Sequence, residues 1–348
     1  MTRVRLADIA RKAGVSEASV SRVLNDRQGV SPKMRQTVLD AVDAETVRSA
    51  DRMARIIALV TTELAGMPVV AALVQELEQA VRQYGYVPAV YVQPSDAVLA
   101  RESFDLLVEH GVAGAVFVSG WPCTTVFSED TLAGPAALGL PHLFVNGRDM
   151  SGDAPSVSVD HRAAVRMAVR HLHELGHSRI GLVVGDTRRP LPDGGVDGFI
   201  AASQEIRGAD AAGEAHRVYH TPSTVAGGRA TVGTLIEDGC TGVVCDSDLT
   251  ALGIVQALRE RGLSVPEHLS VITFTDSPFM EFTRPPLTAV RQPVGPIAAA
   301  AVVTLLSDEE TCGPGHGDFL FMPELIVRGS TSTRRPAPEA VPAQERGA

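Results

Sequence analysis

Apolar positions recur at helical spacing from Leu6 to Val42, whereas from Ile56 onward they gather into short runs separated by longer amphipathic stretches. In the first part, Leu6, Ile9, Ala10 and Ala13 share one face of a short helix. Gly14 can take the positive φ that stops a helix and opens a tight turn, and Val15 then plugs the space between helices. Ser16 is a good N-cap, because its hydroxyl accepts from an amide of the first turn. The run Glu17 to Leu24 predicts a second helix with Val20, Val23 and Leu24 inward and Ala18, Ser19, Ser21 and Arg22 on or near its outer side. Ser31-Pro32 starts a third helix, proline losing nothing at the first position, with Met34, Val38, Leu39 and Val42 as its buried stripe. Helix, glycine turn, capped helix and bracing helix make a helix-turn-helix, whose second helix enters the major groove of DNA.

The body alternates β-rich apolar runs with helical stretches. Strands are expected at 56–62, 87–92, 115–119, 143–146, 179–185, 242–245 and 270–274, and helices at 69–84, 161–175, 224–237 and 249–261. Nearly continuous apolar strands alternating with helices predict doubly wound parallel sheets covered on both faces. Two such sheets fit the length. Ligands in this architecture bind at the carboxyl ends of the strands, so a cleft between two lobes is the natural site.

At 348 residues the chain is too long for one average core. Its 45% hydrophobic and 21% charged content is ordinary for a soluble protein. The absence of an N-terminal apolar leader and of any 18-residue apolar run argues against secretion and membrane spans, and leads us to expect a cytoplasmic protein. The net charge of −10 speaks against nucleic acid until its distribution is read. Residues 1–52 hold ten Arg or Lys and seven Asp or Glu, so a basic head stands on a body carrying −13.

Within that head, the Arg22 guanidinium offers a fork to a guanine, and the small side chains of Ser16, Ser19, Ser21, Asn25 and Ser31 suit phosphates. Elsewhere the chemistry is sparse. Cys123, Cys240, Cys245 and Cys312 lack zinc-ligand or redox spacing and read as small buried groups or free thiols. His173 and His177 are four apart, but no third ligand accompanies them and Gly176 ends the helix, so we read them and His171 as solvated. Gly194-Gly195 falls in a Pro/Asp/Gly-rich loop and Gly227-Gly228 early in a helix, neither as a phosphate loop. No Ser-His-Asp order or nucleophile elbow supports an enzyme, and no metal or cofactor is expected.

The run Asp8-Ile-Ala-Arg-Lys-Ala-Gly-Val-Ser-Glu-Ala-Ser-Val-Ser-Arg-Val-Leu-Asn resembles the lac repressor/gal repressor (LacI/GalR) family of bacterial transcription regulators. The resemblance continues through Ser156-Val-Ser-Val-Asp, His171-Leu-His-Glu-Leu-Gly-His, Val265-Pro-Glu-His-Leu-Ser-Val, Pro285-Pro-Leu-Thr-Ala-Val-Arg-Gln-Pro and Pro323-Glu-Leu-Ile-Val-Arg-Gly-Ser-Thr. It implies that Glu17, Ala18 and Arg22 read bases, and that the body is a periplasmic-binding-protein-like core crossed three times, near Ser156, Leu287 and Phe319–Phe321. The implied division is a helix-turn-helix domain at 1–46, a shortened hinge at 47–55, a core at 56–333 and a disordered tail at 334–348. Lobe one would take 56–155 and 287–318, and lobe two 156–286 and 319–333.

Two regions depart from the family pattern. In the hinge, Ser49 stands where relatives carry a leucine that wedges into the minor groove. Arg48, Arg52 and Arg55 remain to hold phosphates, on a hinge that merely tethers the head or on a third helix that runs on. In the cleft, Gly195 replaces an arginine, Thr275 a carboxylate and Val69-Val70 an aromatic pair. The polar and aromatic groups left at strand ends as effector candidates are Ser119, Trp121, Asn146, Arg148, Asp160, Phe199, Ser247, Asp248, Thr275 and Asp276, with Asp248 also read as a helix cap. The resemblance implies a homodimer, with helix 69–84 contributing, that binds palindromic operator DNA under control of a small-molecule effector such as a sugar. The alternatives are a regulator that has lost effector sensing and a solute-binding module.

Overall fold

The computed structural model describes residues 6–24, 31–53, 56–61, 64, 67–92, 105, 107–109, 111–120, 140–147, 154–185, 195–207, 217–307 and 318–334. In the head, α1 (Leu6–Ala13), α2 (Glu17–Leu24) and α3 (Pro32–Met53) surround a small core of Ile9, Ala10, Val20, Val23, Val38 and Ala41. Gly14 takes φ +66 and the Val15 N–H donates back to the Ala10 carbonyl, which turns the chain. Three expected core residues lie outside it: Leu24 is 46% and Leu39 40% exposed, and Met34 is half-buried away from the cluster. The buried stripes are Val20/Val23 and Val38/Ala41, three apart, and a leucine one position after a stripe residue is turned away by about 100°.

Helix α3 does not stop at the expected hinge. No glycine or proline lies between Lys33 and Ala65, so nothing in the backbone ends it before the β-branched run of β1. Of the two hinge readings, the helix that runs on is the one observed, and it carries positions 48, 49 and 52.

The core contains two six-stranded sheets. In chain order its elements are β1 (Ile56–Thr61), α4 (Pro68–Gln83), β2 (Val87–Val92), β3 (Val112–Val118), β4 (His142–Val145), β5 (Ser156–Val159), α5 (His161–Glu174), β6 (Ile180–Gly185), α6 (Gly195–Arg207), β7 (Val218–Thr221), α7 (Val225–Glu237), β8 (Gly242–Cys245), α8 (Asp248–Glu260), β9 (Ser270–Phe274), β10 (Thr288–Arg291), α9 (Val294–Leu306), β11 (Phe319–Phe321) and β12 (Glu324–Ile326). The first sheet has the order β11-β5-β4-β3-β1-β2 and the second β12-β10-β9-β8-β6-β7. Among the described residues every pairing is parallel except β10 with β12. Strands β1, β3, β6, β8 and β9 are buried almost throughout, as expected for sheets covered on both faces.

The chain crosses between lobes three times, each time a few residues later than the sequence suggested. Strand β5 belongs to the first sheet, β10 to the second and β11 to the first. The motifs at Ser156, Leu287 and Phe319 therefore open the last strand before a crossing, and the chain passes over only when that strand is complete. Disorder was expected from 334 to 348; Arg334 is instead tied to the core, its N–H donating to the Leu175 carbonyl at 2.8 Å, and residues 335–348 lie outside the described residues.

Candidate functional site

The head presents one polar face. Ser16 caps α2, its Oγ accepting from the Ser19 N–H at 3.2 Å, and sits 3.0 Å from the Ser19 hydroxyl. With Val20 and Val23 buried, Glu17, Ala18 and Arg22 are exposed together, and Ser19 and Ser21 are half-buried beside them. This is the geometry a recognition helix needs: the core holds its back, and short residues near its N-terminus leave room for base edges. Ser31 caps α3, accepting from the Met34 N–H at 3.2 Å, which leaves its proton for a phosphate. Ser31→Ala is expected to cost the head about 1 kcal/mol and to weaken binding to all DNA alike, measured on an operator and an unrelated duplex in parallel. Asn25 lies outside the described residues, and Arg52 is placed on α3 only through its backbone.

At the carboxyl end of the first sheet, Ser119 and Asn146 are buried. Asn146 takes φ +52, a turn conformation asparagine tolerates better than most residues. Its Oδ1 accepts from the Val159 N–H at 3.0 Å, and its Nδ2 donates to Gln292 Oε1 at 2.7 Å and to the Gly120 carbonyl at 3.3 Å. Gln292 Nε2 donates to the same carbonyl at 3.0 Å. Asn146 thus fastens two crossings together and has little left for a ligand. The Asp160 carboxylate caps α5 by accepting from Ala163, and its N–H donates to the Phe321 carbonyl at 2.7 Å, joining the first crossing to the third. Val69 and Val70 pack over Gly120, where relatives are expected to carry aromatics. Trp121 and Arg148 lie outside the described residues.

The second lobe gathers more acid. Ser247 caps α8 by accepting from Leu249, so the cap is one residue before the Asp248 that sequence suggested. Asp248 instead accepts from the Thr273 hydroxyl at 2.9 Å and the Ser277 N–H at 3.1 Å. Thr275 takes φ +99, strained for a β-branched residue, and is held by its N–H to the Val290 carbonyl. Asp276 is clamped by Arg328 Nη1 at 2.6 Å and Arg291 Nε at 2.8 Å, which neutralise it. Phe199 is wholly buried, in the core cluster that also holds Val165, Val169 and Leu182. The expected candidates therefore divide into residues that knit crossings and caps and residues that line the strand ends.

Two residues that the sequence reading passed over, His161 and Asp246, lie at those ends. Gly195 opens α6 rather than sitting in a loop, and a Cβ there would come 3.2 Å from Cε1 and Nε2 of His161. The His161 ring thus occupies the space into which a side chain at 195 would grow. It also meets Phe274 edge-on, ring centres 6.1 Å apart. Burial pushes its pKa down to about 3, so it is neutral at physiological pH. Asp246, directly after β8, is buried, and its Oδ2 accepts from the Gly185 N–H at 2.5 Å. Burial raises its pKa to about 7, with that hydrogen bond opposing.

An acid raised in this way adds stability in full below about pH 4, and that contribution is lost as pH rises through 7. Asp246→Asn is therefore expected to match wild type near pH 4 and to be more stable at pH 8 by a few kcal/mol, at about 1.4 kcal/mol per unit of displacement. Urea titrations of both proteins across that range would show it. A constant offset would mean that the carboxyl ionises in the folded protein as it does in the unfolded chain.

His177 is buried rather than solvated. Its Nδ1 meets the Thr241 hydroxyl and its Nε2 the Ser332 carbonyl, each at 3.0 Å, so it pins the end of the core to β8's approach. His171 meets the Thr331 hydroxyl at 3.0 Å, and His173 is exposed. Among the described residues no group of three His, Cys, Asp or Glu could hold a metal ion. Nor is any helix among them long and apolar enough to cross a membrane.

A helix-turn-helix head on a two-lobed, doubly wound core defines a class of ligand-responsive DNA-binding proteins. Residues 5–45 match the bacterial regulatory proteins of the lacI family, and residues 169–331 match the periplasmic binding protein-like domain. The chain is 46% identical over 332 residues to an HTH-type transcriptional regulator encoded in the aml 5′ region of Streptomyces limosus, covering 94% of each. It is 43% identical to the HTH-type transcriptional regulator MalR of Streptomyces coelicolor, covering 94% of this chain and 97% of that one. The structure resembles the transcriptional regulator CelR in its cellobiose complex, with 25% identity, TM-score 0.68 and coverage of 94% and 100%. The chain belongs to the lacI family of bacterial transcriptional regulators.

Proposed function

We propose that the protein is a homodimeric repressor that binds a palindromic operator through α2 and is gated by an uncharged saccharide between its lobes. The observation that carries the DNA half is the joint exposure of Glu17, Ala18 and Arg22 on a helix whose opposite face is buried. One head covers too little DNA for tight specific binding, and two-fold pairing supplies the second half-site. Exposed Phe279 and Phe282, 65% and 76% accessible on the second lobe, provide apolar surface of the kind that subunits cover. The helix α4 is a further candidate for the subunit contact.

The saccharide half is supported by the cellobiose held by CelR and by the lack of an unpaired basic residue at the described strand ends, where Arg291 and Arg328 are spent on Asp276. The effector acts only through its different affinity for the two lobe arrangements. We place the protein in the cytoplasm, with its DNA, and assign it no catalytic step.

Nuclease protection of the DNA upstream of its own gene, at fixed and then varied salt, tests the DNA half. A protected palindrome, with affinity falling steeply as salt rises, is expected. Uniform, sequence-independent protection would overturn it.

A further inference from the structure

One buried carboxylate is left half-used by the fold. Asp246 spends Oδ2 on the Gly185 N–H, whereas its Oδ1 is buried with no hydrogen-bond partner among the described residues. A desolvated acceptor without a donor is penalised. Tyr91, Thr250 and Ser277 also bury an unpartnered hydroxyl, but among the described residues Asp246 is the one carboxylate left so, and an ionisable group is the costlier one to leave unmatched.

Its place gives the use. Gly185 and Asp246 end β6 and β8, which are neighbours in the second sheet. From β6 the chain proceeds through α6 to β7 on one side, and from β8 through α8 to β9 on the other. The sheet's winding reverses between these two strands, and in open α/β sheets that reversal opens the crevice in which ligands bind. Asp246 bridges the two strands at that point.

The neighbouring acids are not comparable. Asp248 accepts from Thr273 and Ser277, and Asp276 is held by two arginines. Among the described residues the strand ends therefore offer a ligand one unpaired carboxylate oxygen in a dry setting rather than a cage of charge, which suits a hydroxyl donor and not a phosphate or carboxylate.

We propose that Asp246 is the specificity-determining ligand contact of the second lobe, its Oδ1 accepting a hydrogen bond from one hydroxyl of an uncharged polyhydroxylated ligand. The inference rests on the saccharide reading given above. The ligand reaches the oxygen when the crevice opens, and on closure its hydroxyl supplies the donor for Oδ1. That difference between open and closed states is the differential affinity that gating requires. Because a dry acceptor left unpaired is penalised, an analogue lacking the matching hydroxyl is rejected more strongly than the loss of one exposed contact would suggest.

The test is calorimetric binding of maltose, cellobiose, glucose and ribose to the full-length protein and to its Asp246→Asn and Asp246→Ala variants. Monodeoxy analogues of whichever sugar binds follow. The asparagine keeps an acceptor for Gly185 and turns the free oxygen into a donor. Affinity is expected to fall roughly tenfold or more in both variants, with operator affinity in the absence of sugar unchanged. One deoxy analogue should bind wild type as poorly as the parent sugar binds Asp246→Asn, and should lose nothing further in that variant. Equal sugar affinity in wild type and both variants would overturn the assignment while leaving the saccharide reading standing. Failure of wild type to bind any of the four sugars would overturn both.

Discussion

Replacing Gly228 by alanine is expected to destabilise the second lobe by about 3 kcal/mol, the upper part of the range for overpacked cores. Helices α7 and α8 approach so closely that a Cβ on Gly228 would overlap the Thr250 carbonyl oxygen, and one on Gly253 the Val225 carbonyl oxygen. Both obstacles are backbone, so no side chain can swing aside, and relief requires the helices to separate. Moving α8 would displace Ser247 and Asp248 at its N-terminus, together with the Thr273 and Ser277 contacts of Asp248. Sugar affinity should therefore fall along with stability. Gly233 in the same helix α7 is the control, because a Cβ there meets nothing within 4 Å. Gly233→Ala should raise stability by roughly 0.5–1 kcal/mol through helix propensity. Thermal unfolding of the three proteins would separate the cases, with the Gly228→Ala midpoint lower by on the order of 6–12 °C. A neutral Gly228→Ala would mean that the helices are farther apart than described.

The second large effect concerns DNA. Arg22→Ala removes the one long, forked donor from the exposed face of α2, while Val20 and Val23 keep the helix seated. Discrimination between the operator and a duplex changed at the contacted base pair is expected to drop by about 10- to 100-fold, the equivalent of roughly 1–3 kcal/mol for a bidentate contact. Affinity for unrelated DNA should fall much less. Competition binding at constant salt gives the ratio, and an unchanged ratio would remove Arg22 from the base-reading set. Glu17 and Ala18 would then be left to carry the readout.

Much of this architecture was legible in the pattern of the chain. The bounds of α1, α2, β2, β8 and β9 follow from periodicity and caps, because each is bracketed by a breaker or a polar cluster. Strands β5 and β7 and helix α6 were not among the expected elements, and two further kinds of element escaped for identifiable reasons. Helix α9 is apolar on all sides, Val-Gly-Pro-Ile-Ala-Ala-Ala-Ala-Val-Val-Thr-Leu-Leu, so it lacks the amphipathic period that marks a surface helix. The short strands β10, β11 and β12 occur where the chain changes sheets, and only their partners show which sheet completes them.

The site was less legible, for a related reason. Asp246, Ser247 and Asp248 are adjacent in sequence, and nothing in that run distinguishes a ligand group from a cap or a core acceptor. The structure separates their partners: Ser247 takes an amide of α8, Asp248 takes Thr273 and Ser277, and Asp246 faces β6. Gly195 presents the same difficulty. Its missing side chain is visible in the sequence, but the His161 ring that occupies the space comes from another helix.

The central claim is that saccharide and operator are coupled through one two-lobed core, and coupling of that kind is reciprocal. The most direct measurement is therefore operator affinity with and without saturating sugar, set beside sugar affinity with and without saturating operator, on one preparation at one salt concentration. The account predicts that the two ratios agree, each roughly 5- to 150-fold. A sugar that binds tightly yet leaves operator affinity unchanged would contradict it.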